Sequence, residues 1–167
     1  MIVGHGDIAR VLPKSDLLFF ASGVSNSQEE REAEYTRERD LLLSQGDGRR
    51  LVYFGSLCIF YSDSRYAVHK LEMERLVRTF PKWTILRLGN ITWGNNPHTL
   101  INHLKLQHAR GEELDIQNVY RYVCDKEEFL YWVNLIPDWN CEMNVPGRRM
   151  KVKDIVSTYV VSNHTEL

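Results

Sequence analysis

Apolar positions along this chain fall into two kinds of run that take turns. Residues 16–21 (DLLFFA), 50–55 (RLVYFG) and 83–88 (WTILRL) are short continuous blocks, the pattern of strands buried on both faces. Met1, Ile2 and Val3 read as a very short strand that passes through Gly4 and Gly6 into a helix, which Pro13 limits to about two turns. Between the blocks lie stretches with helical spacing. Residues 28–45 are highly charged, with few apolar positions before Leu41, Leu42 and Leu43. In 65–80, Val68, Leu71, Leu76 and Val77 recur on one side until Pro81 ends the run. Further on, the pattern predicts a helix over 98–110, strand-like pieces at 114–116 and 120–124, and a helix from the cap Asp125 to about Ile136. A strand at 141–145 and a final helix over 152–161 follow. Strand–helix alternation of this kind predicts βαβ units in an α/β fold, a parallel sheet with helices on both faces, as a single domain over 1–167.

Composition narrows the function classes. A chain of 167 residues with 43% hydrophobic and 26% charged positions is ordinary for a globular domain. A net charge of −1 argues against a nucleic-acid binder working by phosphate neutralisation. The paired arginines, 49–50 and 148–149, stand at turn-like places. The three cysteines, Cys58, Cys124 and Cys141, form no CxxC pair and read as small buried hydrophobes in a reducing cytosol. No run approaches the roughly 18 apolar residues of a membrane span, so the expectation is a cytoplasmic protein without membrane insertion.

Two motifs carry chemistry. Gly4-x-Gly6-x-x-Ala9, between a strand and a helix, matches the Rossmann dinucleotide fingerprint with alanine in third place. There Gly4 permits the sharp turn, Gly6 lets backbone approach a pyrophosphate, and the amides of Asp7 and Ile8 open the helix toward it. The acid expected about 20 positions on, to hold the adenosine ribose, has no counterpart, because the next strand ends in Ala21, Ser22 and Gly23. Tyr66-x-x-x-Lys70 opens a helix, so phenol and ammonium share a face, and a cation there lowers the phenol's pKa from about 10. Ser56, at the end of the preceding strand, can donate to a substrate oxygen; Ser62 and Ser64 are alternatives in the following loop.

Together these pieces resemble the extended short-chain dehydrogenase/reductase family, in its NAD-dependent epimerase/dehydratase branch. Phe20-Ala21-Ser22-Gly23 resembles the strand end beneath the nicotinamide-side ribose, and 50–56 (RLVYFGS) the strand delivering the catalytic serine. Residues 85–94 (ILRLGNITWG) are similar to the strand and turn whose asparagine faces the sugar, and 121–128 to an arginine-to-acid segment near a sugar nucleotide. The segment from Cys141 to Asp154 is similar to the family's closing segment. The resemblance implies a Rossmann-like fold shortened by two βα units on the adenosine side, with residues about 90–167 contributing the substrate-side elements. Ser56 and Tyr66 are also only ten residues apart, closer than the family usually shows.

By that resemblance, Ser56, Tyr66 and Lys70 are catalytic. Gly4, Gly6, Asp7, Ile8, Ala21, Ser22, Gly23, Lys70 and Ile91 contact the cofactor, NAD or NADP, while Asn90, Trp93 and Arg121 contact the substrate. The implied function is an NAD(P)-dependent oxidoreductase, epimerase or dehydratase acting on a nucleotide-activated sugar. The alternative is a degenerate, non-redox nucleotide or nucleotide-sugar binding module, alone or as a dimerising partner of a full-length homologue. The helices after the second and third strands imply a homodimer; the charged one otherwise reads as a solvated face. Ser25, Asn26 and Ser27 read as a cap for a helix at 28 or as ligand contacts. His98, His103 and His108 step by five residues, about 140° per step on a helix, so they cannot share a metal, and no metal site is expected.

Overall fold

In the computed structural model of the protein, residues 1–114 and 116–161 are described. In chain order the elements are β1 (Ile2–Val3), α1 (Asp7–Val11), β2 (Leu18–Phe20), α2 (Glu32–Leu43), β3 (Leu51–Ser56), α3 (Arg65–Val77) and β4 (Trp83–Leu88). There follow β5 (Asn90–Ile91), α4 (Leu100–Ala109), β6 (Tyr120–Cys124), α5 (Lys126–Asn134), β7 (Cys141–Val145), β8 (Arg148–Lys151) and α6 (Val152–Ile155). A 3-10 turn, Leu57–Phe60, links β3 to α3, and a π-helical segment, Val156–Val161, continues α6.

Five strands form a wholly parallel sheet in the order β1-β2-β3-β4-β7. Alternation along each strand sends side chains to two cores. One face carries Phe19, Val52, Phe54, Leu86 and Val145 under α1 and α5, with Leu12 just after α1 and Phe129 and Val133 of α5 packed against them. The other carries Leu18, Phe20, Leu51, Tyr53 and Ile85 under α2 and α3, which contribute Leu42, Met73 and Val77. Each large apolar side chain so buried contributes about 1.5–3 kcal/mol. This is a Rossmann-like sheet covered on both faces.

The connections reveal what has been shortened. All steps along the sheet run the same way, yet α2 and α3 cross one face while α1, and α5 before β7, cross the other. Their crossovers therefore have opposite hands. With the usual right hand for β2–α2–β3 and β3–α3–β4, the β1–α1–β2 step is left-handed, which is rare. A helix on the α1 face makes a right-handed step only toward a strand on the free side of β1. That is where a full doubly wound sheet carries its adenosine-side strands.

Several elements differ from the sequence pattern. The helix expected at 28 begins at Glu32, and Asn26 accepts from the Gln28 amide in a turn instead of capping it. On α3 the side facing the sheet is Ala67, Lys70, Met73, Glu74 and Val77; Val68 and Leu71 point outward, 47% and 36% exposed. The apolar spacing misled there because two of the inward positions are a lysine and a glutamate held in ion pairs. Arg50 is buried, donating to the carbonyls of Trp83, Asp138 and Trp139 and so fastening the loop before β7. Of the cysteines only Cys124 is fully buried; Cys58 and Cys141 are partly accessible.

A second, smaller sheet, β5-β6-β8, pairs β5 with β6 in parallel and β6 with β8 antiparallel. Arg148 and Arg149 lie in β8, where a turn was expected. The strand expected over 114–116 falls partly on Asp115, outside the described residues, and Leu114 and Ile116 belong to no strand. Ile101 and Leu104 of α4 pack with Val123, Val152, Ile155 and Val156 beside this sheet. Because β5 follows β4 after Gly89, the small sheet stands at the carboxyl ends of the main strands, where open α/β sheets bind ligands. Among the described residues no helix is long and apolar enough to cross a membrane.

Candidate functional site

A cleft of about 1290 Å³ opens along these carboxyl ends, larger than the roughly 300–1,000 Å³ of a pocket for one small ligand. Gly6, Asp7, Ile8, Ala21, Ser22, Gly23, Ser56, Tyr66, Lys70, Asn90, Ile91 and Arg121 all line it. Gly4 and Trp93 do not. Gly4 works behind the wall: its φ of +119° and the closeness of its Cα to the Ala21 carbonyl, which a Cβ would approach to 2.3 Å, require glycine where β1 meets the end of β2. Trp93 turns into the core, its ring 5.2 Å from that of Phe129, with Nε1 donating to the Asp7 carbonyl at 3.3 Å. Burial of its large apolar surface against α5 draws it away from the cleft.

At the glycine turn, Gly6 has open space around its Cα, with nothing within 4 Å of where a Cβ would stand. The helix behind it, α1, is only five residues long. The Asp7 carboxylate is engaged, accepting from the backbone amides of Asn95 at 3.1 Å and Asn96 at 2.9 Å. Gly94, with φ +89°, lies so close that a Cβ would overlap that carboxylate. Asp7 thus clasps the loop after β5 onto the turn.

The Ser56, Tyr66 and Lys70 side chains meet at the middle of the cleft. Ser64 caps α3 by accepting from the Ala67 amide, and Ser62 donates to Ser64, so both are engaged in starting the helix. Ser56, at the end of β3, accepts from the Cys58 amide and faces Tyr66. Lys70 lies one helical turn from Tyr66, with Nζ 5.5 Å from the phenol's ring centre. The expected acidified phenol is not found. Burial, with the Cys58 thiol and the Glu38 carboxylate nearby, pushes the Tyr66 hydroxyl above its ordinary range, and the Ser56 hydroxyl only partly offsets this. Desolvation is the leading cause, and the lysine's charge is engaged elsewhere.

Lys70 is 2% exposed, and its ammonium is bound to Glu38, Nζ to Oε1 at 3.0 Å, and to the Tyr53 hydroxyl at 3.2 Å. Glu38 is fully buried. Its other oxygen accepts from the Val24 amide at 2.7 Å and meets His69 Nε2 at 3.0 Å, while Tyr53 donates to Oε1 at 2.7 Å. These contacts, with Lys70 foremost among the favourable charges, overcome desolvation and hold the carboxyl far below its usual range. Glu38 therefore does not belong to a solvated helix face. No spacing signal announced it; only the coming together of β2, β3 and α3 makes a glutamate tolerable there. Gly23 fits tightly against the pair, since a Cβ would lie 2.8 Å from both Glu38 Oε1 and Lys70 Nζ.

On the opposite wall, Asn90 donates to the Tyr122 carbonyl at 2.9 Å, tying the two sheets together. Arg121 is half-buried, with its guanidinium 6.0 Å from the Tyr61 ring across the cleft. Ser25 accepts from the Asn96 side chain at 2.9 Å and lines the cleft with Asn26 and Ser27.

The sequence matches no protein-family model, and no curated protein is significantly similar to it. Solved structures do match. The Bordetella bronchiseptica enzyme WbmG in complex with NAD superposes with a TM-score of 0.63 at 15% identity, over 90% of this chain and 56% of that one. A UDP-galactose 4-epimerase gives a TM-score of 0.66 at 14% identity, over 86% and 61%. RMD from Pseudomonas aeruginosa, complexed with NADPH, gives 0.64 at 17%, over 85% and 62%. The chain thus spans little more than half the length of the structures it resembles. Its fold is that of NAD-dependent epimerase/dehydratase-type enzymes, the extended short-chain dehydrogenase/reductase fold, in shortened form.

Proposed function

We propose that this chain is an NAD(P)-dependent enzyme of the epimerase, dehydratase or reductase type acting on a nucleotide-activated sugar. The observation that carries the reading is the convergence of Gly6, the 21–23 loop, Ser56, Tyr66, Lys70, Asn90 and Arg121 on one cleft. The likeness to solved structures, among them WbmG in complex with NAD and UDP, supports it. The residues fit a nicotinamide cofactor on its ribose side: Gly6 leaves room for close backbone approach, and Lys70 and the 21–23 loop border the middle of the cleft. When bound, the cofactor would accept or return a hydride. Tyr66, protonated and beside Ser56, would exchange a proton with the substrate oxygen that Ser56 orients, and Arg121 would meet the sugar nucleotide's phosphates. The reading includes a cytoplasmic location and a single shortened unit whose residues from about 90 onward form the substrate side.

Fluorescence titration with NADH and NADPH is the direct test. Saturable binding of either is expected; no binding at millimolar cofactor to folded protein sinks the proposal.

The Asp7 clasp favours a second reading, in which the chain is a non-redox nucleotide or nucleotide-sugar binding module, alone or beside a full-length homologue. A carboxylate at the mouth of a phosphate-binding turn opposes a second anion there. On this reading UDP or a UDP-sugar raises the melting temperature and NAD(P) does not. A homodimer through the outer faces of α2 and α3 is part of both readings, supported by the exposed Val68 and Leu71. Light scattering at twice the monomer mass is the expected result.

A further inference from the structure

No motif pointed to the Glu38 carboxylate, yet it ties together the elements around the site. It joins the loop after β2 through the Val24 amide, β3 through Tyr53, and α3 through His69 and Lys70. Lys70 Nζ has three hydrogens, and its near acceptors are Glu38 and Tyr53. The ammonium is therefore held against the floor of the cleft, with Gly23 leaving the space it occupies.

We propose that Glu38 is the positioning residue of this site: its carboxylate aims the Lys70 ammonium and cancels its charge, so that Tyr66 meets a ligand as a hydrogen-bond donor. This deepens the proposed function and rests on Tyr66 and Lys70 being its working pair. The groups facing the Tyr66 hydroxyl bear the idea out. Ser56 reaches it from β3, Cys58 from the turn after β3, Glu38 and Tyr35 from α2, and Lys70 from its own helix. Lys70 is the only cation among them, and it is paired with a carboxylate 3.0 Å away. A neutralised lysine beside this half-buried phenol leaves desolvation as the dominant influence, which keeps the proton on the oxygen.

The test needs neither cofactor nor substrate, so its result is independent of whether the chain binds a dinucleotide. Tyrosine ionisation is followed by ultraviolet difference absorbance, and the Tyr66 contribution is isolated by subtracting the Tyr66→Phe variant. In the wild-type chain Tyr66 ionises at higher pH than an ordinary phenol. Glu38→Gln, with a native circular dichroism spectrum, raises the Tyr66 ionisation constant by about tenfold or more, because the lysine's charge then acts unopposed. The double variant Glu38→Gln/Lys70→Met, which removes both charges with little change in volume, returns Tyr66 to wild-type behaviour. Tyr66 ionisation unchanged in folded Glu38→Gln overturns the proposal, as does a double variant in which Tyr66 ionises early. If Glu38→Gln alone does not fold, the double variant decides: the charge-balanced protein folds and keeps Tyr66 protonated, or the proposal fails.

Discussion

Arg87 and Glu74 meet through two parallel hydrogen bonds, Nε to Oε1 at 2.7 Å and Nη2 to Oε2 at 2.6 Å, at the junction of β4 and α3. Glu74 is fully buried and Arg87 only 6% exposed, and Glu142 of β7 takes a further bond from the guanidinium at 2.6 Å. The pair locks the helix bearing Tyr66 and Lys70 to the central strands. Glu74→Ala removes the two-pronged partner and leaves the buried guanidinium to the partly exposed Glu142, at an expected cost of about 3 kcal/mol. Glu74→Leu/Arg87→Met, which removes both charges, is expected to cost clearly less. Urea midpoints of the two variants check the order.

Replacing Gly23 and Gly6 by alanine separates packing from binding. Gly23→Ala drives a methyl to within 2.8 Å of Glu38 and Lys70, and overpacking of this kind costs about 1–3 kcal/mol. Gly6→Ala meets open space, so its unfolding free energy stays within about 0.5 kcal/mol of wild type. On the proposed function, Gly6→Ala nonetheless weakens NADH or NADPH binding in fluorescence titration, because the methyl stands where backbone must approach phosphate.

Acid unfolding carries the signature of Glu38. Its folded pKa lies below the unfolded value of about 4.3. Between the two the unfolded chain binds more protons, so the stabilisation is present above about pH 4.3 and is lost as pH falls below it. Glu142, held down by Arg78 and Arg87 despite partial burial, adds to the same slope. Melting temperatures from about pH 6 to pH 3 are expected to fall steeply in the wild type and less steeply in folded Glu38→Gln.

If the chain turns over a sugar nucleotide, Tyr66→Phe lowers kcat/KM by about 10²- to 10⁴-fold, the usual worth of a positioned acid or base, with the melting temperature kept. Since burial raises the Tyr66 pKa, its phenol remains protonated through neutral pH. The profile of kcat/KM between about pH 6 and pH 9 therefore shows no limb that Tyr66→Phe abolishes.

How far the sequence could be read depended on whether local pattern decided the outcome. β4 and β7 fall at the expected residues because an apolar run between breakers leaves few alternatives, and Asp125 caps α5 as its position suggested, accepting from the Glu128 amide. The cleft's lining was largely legible too, since Gly6, Ser56 and Asn90 sit beside strand ends and Tyr66 in the first turn of α3. What escaped notice depended on tertiary pairing. Glu38 and Glu74 look like surface residues until Lys70 and Arg87, 32 and 13 positions away, neutralise them. Trp93 looked like a ligand contact until Phe129 offered it a core. β8 is polar in sequence, four residues of RRMK, and exists because β6 supplies the hydrogen bonds.

The left-handed step from β1 to β2 makes the segment between Leu12 and Leu18 a natural splice point. Two βα units inserted there would let α1 lead outward to the unoccupied side of β1 with the usual hand, while the pairings of β1 with β2 and of every later strand stay as they are. A chimera carrying such an insertion would gain the missing acid-bearing strand end without rebuilding a hydrogen bond of the existing sheet. The shortened fold is thus modular at its N-terminal end: what it lacks can be supplied by grafting rather than redesign.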